Sequence, residues 1–491
     1  MCRTPGSTSR LPRTPMTVAS TPHLRRLGLV ITIASLAAIA YATLLPEPGQ
    51  PPDARFCLMC GSLAGVDALL NVLLFLPFGV GLALCGVRPK RLLLMVSVLS
   101  ILIEVAQFLI ISGRDATISD VLTNTLGGAL GFAAIRYVWS WLLPSPRTAM
   151  SLIAGWGAIW LLIQAASGFA FAPSIPESQY YGQLARSLGK NFVVFPGRVL
   201  AASLNGTVIP NAALADSHSV RQRLLGGATV ATVVVPGEVT PGIAPIVRIA
   251  GAGQSQIILL AQNGADLLFT IRTGAAVLGL RSPVFALPRV FPIGPVRDSA
   301  MLPDTLRLSA RYVSGEVRMN AQTDSAMNVS RVTLTASLGW TFVLPFQWFI
   351  EGTPGESVIS WIWIVALTIP LGYWISHLAR SYRSYRSYRD RAVGFQALPT
   401  LLWIGSLATL CVGLGLAPHF FGLSLAPVRE WLGSLAGLLL GAALAARLTP
   451  KLHRSSENSS STGSSNRVAE APQSQATARL GRDVGRHGGA R

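Results

Sequence analysis

Three apolar stretches decide the fold: VDALLNVLLFLPFG (residues 66–79), SILIEVAQFLIISGR (100–114) and SDVLTNTLGGALGF (119–132). Each belongs to a run of spanning length, since about 20 residues of α-helix cross a hydrocarbon core of about 30 Å. Polar side chains recur in each stretch every three or four residues, which places them on one helical face. Because a charged group at the bilayer centre costs at least about 2.5 kcal/mol, we expect the three polar faces to meet one another.

Composition places the whole chain among membrane proteins. Of its 491 residues, 51% are hydrophobic and only 12% are charged, which is too apolar for an ordinary soluble protein. The net charge of +19 comes mostly from segments beside the apolar runs and from the two polar termini, so it does not indicate nucleic acid as a partner. We predict no cofactor, and no metal site, because no second CxxC or close His pair accompanies Cys57 and Cys60. The chain has no Walker-type loop, HExxH or GxSxG motif, which argues against a familiar ATPase, zinc protease or hydrolase.

The hydropathy pattern predicts a polytopic α-helical membrane protein with about eight spans. The Lys/Arg bias beside these runs places both termini in the cytoplasm, which predicts a multi-pass protein of the cell inner (cytoplasmic) membrane. The expected spans are 27–45, 66–84, 92–111, 118–141, 149–171, 358–378, 397–416 and 425–446.

Domain boundaries follow from the same pattern. A basic arm at 1–26 and a Ser-rich tail at 449–491 are expected to be disordered, because both lack apolar periodicity. The expected folded parts are a four-helix membrane domain (27–145), a fifth span (149–171), a β-sandwich (172–352) and three carboxy-terminal spans (357–448).

Three alternatives stay open at the amino-terminal end. Met16 is a second candidate for the start of translation. The first apolar run is either a membrane span or a cleaved signal peptide, although it is longer than the usual apolar core of a signal peptide. Cys57 and Cys60 form either a disulfide or two unpaired thiols, because their Pro-rich loop lacks the strand-to-helix context of a redox pair.

The predicted orientation brings the polar faces together in the outer leaflet. Arg114 lies in the external connector, close enough to pair with Asp67, Glu104 and Asp120. The simpler interpretation is that buried polar groups only hold the spans together by hydrogen bonds. We call the candidate site residues the outer cluster: Asp67, Asn71, Ser100, Glu104, Gln107, Arg114, Asp120 and Asn124.

Two structural interpretations apply to the fourth predicted span. Ser119 or Asp120 is expected to cap its first turn, because both side chains accept hydrogen bonds from exposed backbone amides. Gly127 and Gly131 form a small-xxx-small pair, which allows close helix packing.

The pattern over about residues 25–145 resembles the VanZ-like integral membrane proteins. That family is named after an accessory protein linked to low-level resistance to the glycopeptide teicoplanin, and no biochemical activity is established for it. The resemblance therefore implies a bacterial cell-envelope role without a reaction or catalytic residues. The residues that carry it are Asp67, Asn71, Phe75, Pro77, Gly79, Ser100, Glu104, Gln107, Arg114, Asp120, Asn124, Thr125, Leu126 and Gly127.

Residues 172–352 contain no run of spanning length and read instead as an inserted all-β domain. Segments such as ATVATVVV, QIILLAQ and TLRLSARYV are rich in β-branched residues and separated by turns, which predicts an antiparallel sandwich. The odd number of spans before it places the sandwich outside the cytoplasm. Its strand pattern resembles concanavalin A-like or laminin G-like jelly rolls, which implies a glycan or protein ligand, sometimes with calcium.

Two functions of different classes fit these observations. In the favoured one the protein is non-catalytic, and its membrane bundle carries a sandwich that recognises an envelope glycan, a lipid-linked precursor or an envelope protein. In the alternative the outer cluster binds or processes a lipid head group, with Arg114 holding phosphate and Glu104 acting as acid or base.

Overall fold

The computed structural model describes residues 22–46, 56–58, 61, 63–111, 116–186, 192–291, 305–313, 315–323, 326–386 and 397–468. The α-helices in these ranges are Pro22–Leu44 (α1), Ala64–Leu84 (α2), Pro89–Leu109 (α3), Ile118–Arg136 (α4), Val138–Leu142 (α5), Pro146–Phe171 (α6), Ser217–Gly226 (α7), Gly274–Val277 (α8), Pro354–Arg386 (α9), Ala397–Cys411 (α10), Ala417–Phe420 (α11) and Val428–Val468 (α12).

Eight helical segments of the described chain are long and apolar enough to cross a membrane, which confirms the predicted polytopic class. Seven of them lie in α1, α2, α3, α4, α6, α9 and α12, and the eighth runs through α10 and α11 (Thr400–Phe420) with a π-helical turn between them.

Two helix ends differ from the prediction. Span four was expected to reach residue 141, but α4 ends at Arg136 because Tyr137 leaves helical geometry at φ −107° and ψ 20°. Disorder was expected from residue 449, whereas α12 continues to Val468. Extending a formed helix requires no new nucleation, so a polar segment with weak helical propensity follows the preceding span.

Two six-stranded sheets form the β domain. One has the order β14-β10-β9-β8-β7-β3 and the other β13-β12-β11-β6-β4-β5, and the short strands β1 and β2 pair separately. The strands are Phe56–Cys57 (β1), Ala116–Thr117 (β2), Tyr181–Leu184 (β3), Arg198–Leu204 (β4), Thr207–Val208 (β5), Ala228–Val235 (β6), Ile243–Ala250 (β7), Gln256–Asn263 (β8), Asp266–Ile271 (β9), Val284–Leu287 (β10), Leu306–Val313 (β11), Glu316–Gln322 (β12), Met327–Thr333 (β13) and Phe349–Ile350 (β14).

The two sheets share one apolar core, which confirms the predicted sandwich. Val230 and Leu308 of one sheet and Ile246 and Phe269 of the other are almost completely buried in the same cluster. One pair departs from the antiparallel expectation, because β10 and β14 run parallel. Between β10 and β14 the chain forms β11, β12 and β13 of the other sheet, so no hairpin joins β10 to β14. The jelly-roll resemblance stays a prediction.

The sandwich core continues into the membrane helices. Phe171, the last residue of α6, is fully buried in the sandwich core, and its ring centroid lies 4.7 Å from that of Phe342. Its backbone carbonyl also accepts a hydrogen bond from the Tyr312 hydroxyl of β11 at 3.2 Å. Elsewhere the backbone amide of Val66, at the start of α2, donates to the carbonyl of Gly279 at 3.1 Å. The sandwich is therefore packed against one end of the bundle.

Helices α2 and α4 approach so closely that only glycine fits at their contact. A Cβ atom on Gly79 would lie 2.0 Å from the carbonyl oxygen of Gly128, and one on Gly131 would lie 1.9 Å from that of Leu76. Gly127 faces the carbonyl of Val72 in the same way. The small-residue pair predicted from sequence thus lies at a helix contact.

Candidate functional site

The innermost contact of the outer cluster joins α3 to α4. The Asn124 side-chain amide donates to Ser100 Oγ at 2.9 Å, and both side chains are almost completely buried. Asn124 Oδ1 has no hydrogen-bond partner among the described residues. A buried acceptor without a partner is uncommon, so this position is a candidate for binding a donor group.

Glu104 holds the start of α4. Its side chain is only 8% exposed, and Oε2 accepts the backbone amide of Thr117 at 2.7 Å. Thr117 in turn caps α4, because its hydroxyl accepts the backbone amide of Asp120 at 3.0 Å. The predicted cap at Ser119 or Asp120 was therefore wrong: Thr117 is the residue with extended geometry (φ −128°, ψ 143°) immediately before the helix.

Gln107 ties α3 to α1 rather than to the other members of the cluster. Its amide nitrogen donates to the backbone carbonyl of Thr43 at 3.0 Å, while Oε1 is buried without a hydrogen-bond partner among the described residues. Sequence reasoning missed this contact, because a backbone acceptor near the end of a helix leaves no signature in residue type.

The remaining members lie nearer the surface or outside the described chain. Asp67 is exposed in the first turn of α2, and Asn71 is half-buried one turn further along. Arg114 and the Cys60 member of the CxxC pair lie outside the described residues. The hydrogen bonds given above thus fall into three separate groups, at Ser100, Glu104 and Gln107. The pairing of Arg114 with the carboxylates stays a prediction.

This geometry favours a positioning role for Glu104. Oε2 of Glu104 holds the connector that leads into α4, and the second oxygen of the carboxylate takes no part in that contact. In the described part of the chain, no group of three His, Cys, Asp or Glu side chains has the spacing to hold a metal ion.

A second polar feature, which sequence reasoning missed, lies on the outer face of the sandwich. Arg311 of β11 pairs directly with Arg318 of β12, which pairs with Arg331 of β13. We call these three residues the arginine row. Like charges directly opposite one another destabilise a sheet, so their alignment calls for a compensating anion.

One carboxylate lies beside the row. Glu316 accepts hydrogen bonds from Arg318 and Arg331, and the Arg318 bond is the main reason that the pKa of Glu316 lies below its usual value. Arg311, Arg318 and Glu316 also line a hollow with Ser424, in the loop before α12. The sequence offers a signal for this register, because a Ser-Gly pair between two β-branched runs is a hairpin pattern. Val313 pairs with Glu316, which places Arg311 opposite Arg318.

Comparison with known proteins covers only the amino-terminal part of the chain. Residues 17–141 match the family model described as VanZ/LLP1. No curated protein and no solved structure matches the chain. The matched range contains α1 to α4 and every member of the outer cluster, so the first four spans form a VanZ-like membrane unit, as the sequence predicted.

Proposed function

We propose that this protein is a non-catalytic component of a bacterial cell envelope. In this proposal its spans lie in the cytoplasmic membrane and form a platform that holds the sandwich outside the cytoplasm. The observation that carries the proposal is the continuous core from α6 into the sandwich, with Phe171 fully buried between them. A domain joined only by flexible linkers would need no such shared core.

The arginine row supports a ligand for the sandwich. Guanidinium groups match phosphate oxygens in geometry as well as charge. The hollow beside Arg311 and Arg318 also contains Ser424, which follows α11 at the end of the seventh membrane segment. The hollow has two arginines against one carboxylate, Glu316, so it keeps an excess of positive charge, which favours a lipid-linked precursor with a diphosphate over a neutral glycan. We therefore propose the lipid-linked precursor as the ligand class.

Binding to soluble mimics tests this ligand class. Farnesyl diphosphate is expected to bind the purified full-length chain in nanodiscs, and farnesol is not. The double variant Arg311→Ala/Arg318→Ala should weaken binding of the diphosphate at least about tenfold, because each charged hydrogen bond contributes about 1.5–3 kcal/mol. Isothermal titration calorimetry measures the dissociation constant of the diphosphate for the parent chain and for the double variant.

Arg307 provides the matched control. It lies on β11, the same strand as Arg311, but pairs with Gln322 rather than with an arginine. Arg307→Ala should leave the dissociation constant within about twofold, as expected for an exposed charge outside the contact. Equal losses from Arg307→Ala and the double variant would mean general charge attraction and would refute a site at the row.

A second candidate function rests on the buried acceptors of the outer cluster. Asn124 Oδ1 and Gln107 Oε1 have no hydrogen-bond partner among the described residues. A lipid head group with hydroxyl or amine groups would donate hydrogen bonds to these two oxygens. In this second function the outer cluster binds a lipid head group without processing it. In this hypothesis Glu104 keeps its contact with the Thr117 amide through Oε2.

A further inference from the structure

The close contact between α9 and α12 repeats the contact between α2 and α4 residue by residue. A Cβ on Gly372 would lie 2.0 Å from the carbonyl oxygen of Leu438, and one on Gly441 would lie 2.1 Å from that of Ile369. In the amino-terminal unit the same places are taken by Gly79 against Gly128 and by Gly131 against Leu76. The residue numbers of equivalent positions in α2 and α9 always differ by the same amount, and the same is true of α4 and α12 with a second constant difference. We call these two differences the shifts.

The same two shifts align further features. Pro77 of α2 corresponds to Pro370 of α9, each two residues before the contact glycine. They also align the starts of α4 and α12, Ile118 and Val428. A third contact agrees: Gly127 faces the carbonyl of Val72, and their equivalents Gly437 and Val365 meet in the same way.

Burial follows the alignment as well. Leu130 and its equivalent Leu440 are 47% and 48% exposed, whereas Asn124 and its equivalent Ser434 are almost completely buried. Asn124 Oδ1 and Ser434 Oγ both lack a hydrogen-bond partner among the described residues. Helices α4 and α12 therefore agree in their buried and exposed faces as well as in their glycine contacts. Two unrelated pairs of glycine-packed helices would not be expected to agree in both.

The first span of each half packs on the same position of its partner helix. In the amino-terminal unit, a Cβ on Gly81 of α2 would lie 2.4 Å from Thr32 Oγ1 of α1. Trp374 of α9, the equivalent of Gly81, packs edge-to-face against Trp156 of α6 with ring centroids 6.2 Å apart. The repeat therefore extends to α6, and the sandwich lies in the loop between its first two spans.

The shifts also pair the acidic residues at the helix starts. Asp120 lies in the first turn of α4, and its equivalent Glu430 lies in the first turn of α12. Glu430 is only 2% exposed, and its Oε1 accepts hydrogen bonds from Thr335 Oγ1 at 3.0 Å and Ser337 Oγ at 2.5 Å. Both hydroxyls come from the sandwich end of the chain, in the helical turn 336–343 and the residue before it.

We infer that spans five, six and eight repeat the arrangement of spans one, two and four of the VanZ-like unit, and that the site equivalent to Asp120 is a docking site filled by the hydroxyls of the chain's own sandwich. The inference goes beyond the proposed function, because it holds whatever ligand the sandwich takes. It gives the carboxy-terminal unit the role of fixing the sandwich, whereas Asp120 Oδ1 in the amino-terminal unit accepts a hydrogen bond from Ser119 Oγ at 3.3 Å.

Paired substitutions test the repeat. Gly131→Ala and Gly441→Ala should lower the thermal unfolding temperature of the full-length protein in nanodiscs by similar amounts, since each Cβ meets a carbonyl oxygen at about 2 Å. The matched pair Leu130→Ala and Leu440→Ala, one residue earlier and half exposed, should have much smaller effects. The repeat would be overturned if Gly131→Ala lowered the unfolding temperature strongly while Gly441→Ala lowered it no more than Leu440→Ala does.

Hydrogen–deuterium exchange of the same protein tests the docking site. Thr335→Val/Ser337→Ala should raise exchange in residues 334–343 at least tenfold, while Glu430→Gln, which keeps an acceptor oxygen, should not. Thr341→Val is the matched control, because its hydroxyl bonds within the segment to the carbonyl of Leu338. Unchanged exchange in the double variant, or an equal rise in Thr341→Val, would refute the docking site.

Discussion

Gly79→Leu is expected to prevent the amino-terminal unit from packing. Even the first atom of a side chain there would lie 2.0 Å from the carbonyl oxygen of Gly128 and 2.9 Å from its Cα, and both are backbone atoms that no rotamer change moves aside. Overpacking of a filled core costs about 1–3 kcal/mol, and we expect at least the upper end here because the obstacle is backbone. Helices α2 and α4 would have to separate.

The measurement is the yield of monodisperse protein and its thermal unfolding in detergent. Gly155→Leu is the control, because a Cβ at Gly155 meets no heavy atom within 4 Å although this residue also lies in a membrane helix, α6. We expect Gly155→Leu to behave like the parent chain. A Gly79→Leu protein with the parent's unfolding temperature would show that α2 and α4 are not packed as described.

Phe171→Ala is expected to loosen the sandwich from the membrane bundle. The side chain is fully buried where α6 enters the sandwich core, so its removal leaves a cavity that both parts line. Large-to-small changes of this kind cost about 3–5 kcal/mol for a phenylalanine. Because Phe171 joins the two parts, the loss should also raise proteolysis of the segment that leads from α6 into β3.

Limited proteolysis of the full-length protein in nanodiscs measures the effect. Phe420→Ala is the matched control, since Phe420 also ends a membrane segment but is 82% exposed. We expect faster cleavage between α6 and β3 in Phe171→Ala alone. Equal cleavage in both variants would contradict a sandwich fixed by a shared core.

The sequence predicted those features that depend on periodicity and composition. Apolar runs of spanning length located the eight segments of the described chain that are long and apolar enough to cross a membrane, and β-branched runs separated by turns predicted the sandwich. Among the polar side chains of the spans, Ser100 and Asn124 meet in the interior. These features are local patterns or follow from one helical period.

The features that were missed depend on distant parts of the chain. The Glu104 carboxylate bonds to a backbone amide, and the Gln107 amide to a backbone carbonyl, and neither partner is marked by residue type. The repeat escaped because few residue types recur, chiefly Pro77 and Pro370 with the glycines two residues later. It is the backbone contacts between helices that make the equivalence visible. A search for internal repeats would have found a P-x-G pair in both halves.

Glu104→Gln tests the platform proposal most directly. Glutamine keeps the shape of the side chain and an oxygen that accepts the Thr117 amide, but it cannot act as an acid or base at neutral pH. The measurement is the teicoplanin susceptibility of a sensitive host that expresses the intact chain, the Glu104→Gln variant or an empty vector. We predict that the intact chain and the variant protect equally. Protection by the intact chain that the variant loses would contradict a non-catalytic platform.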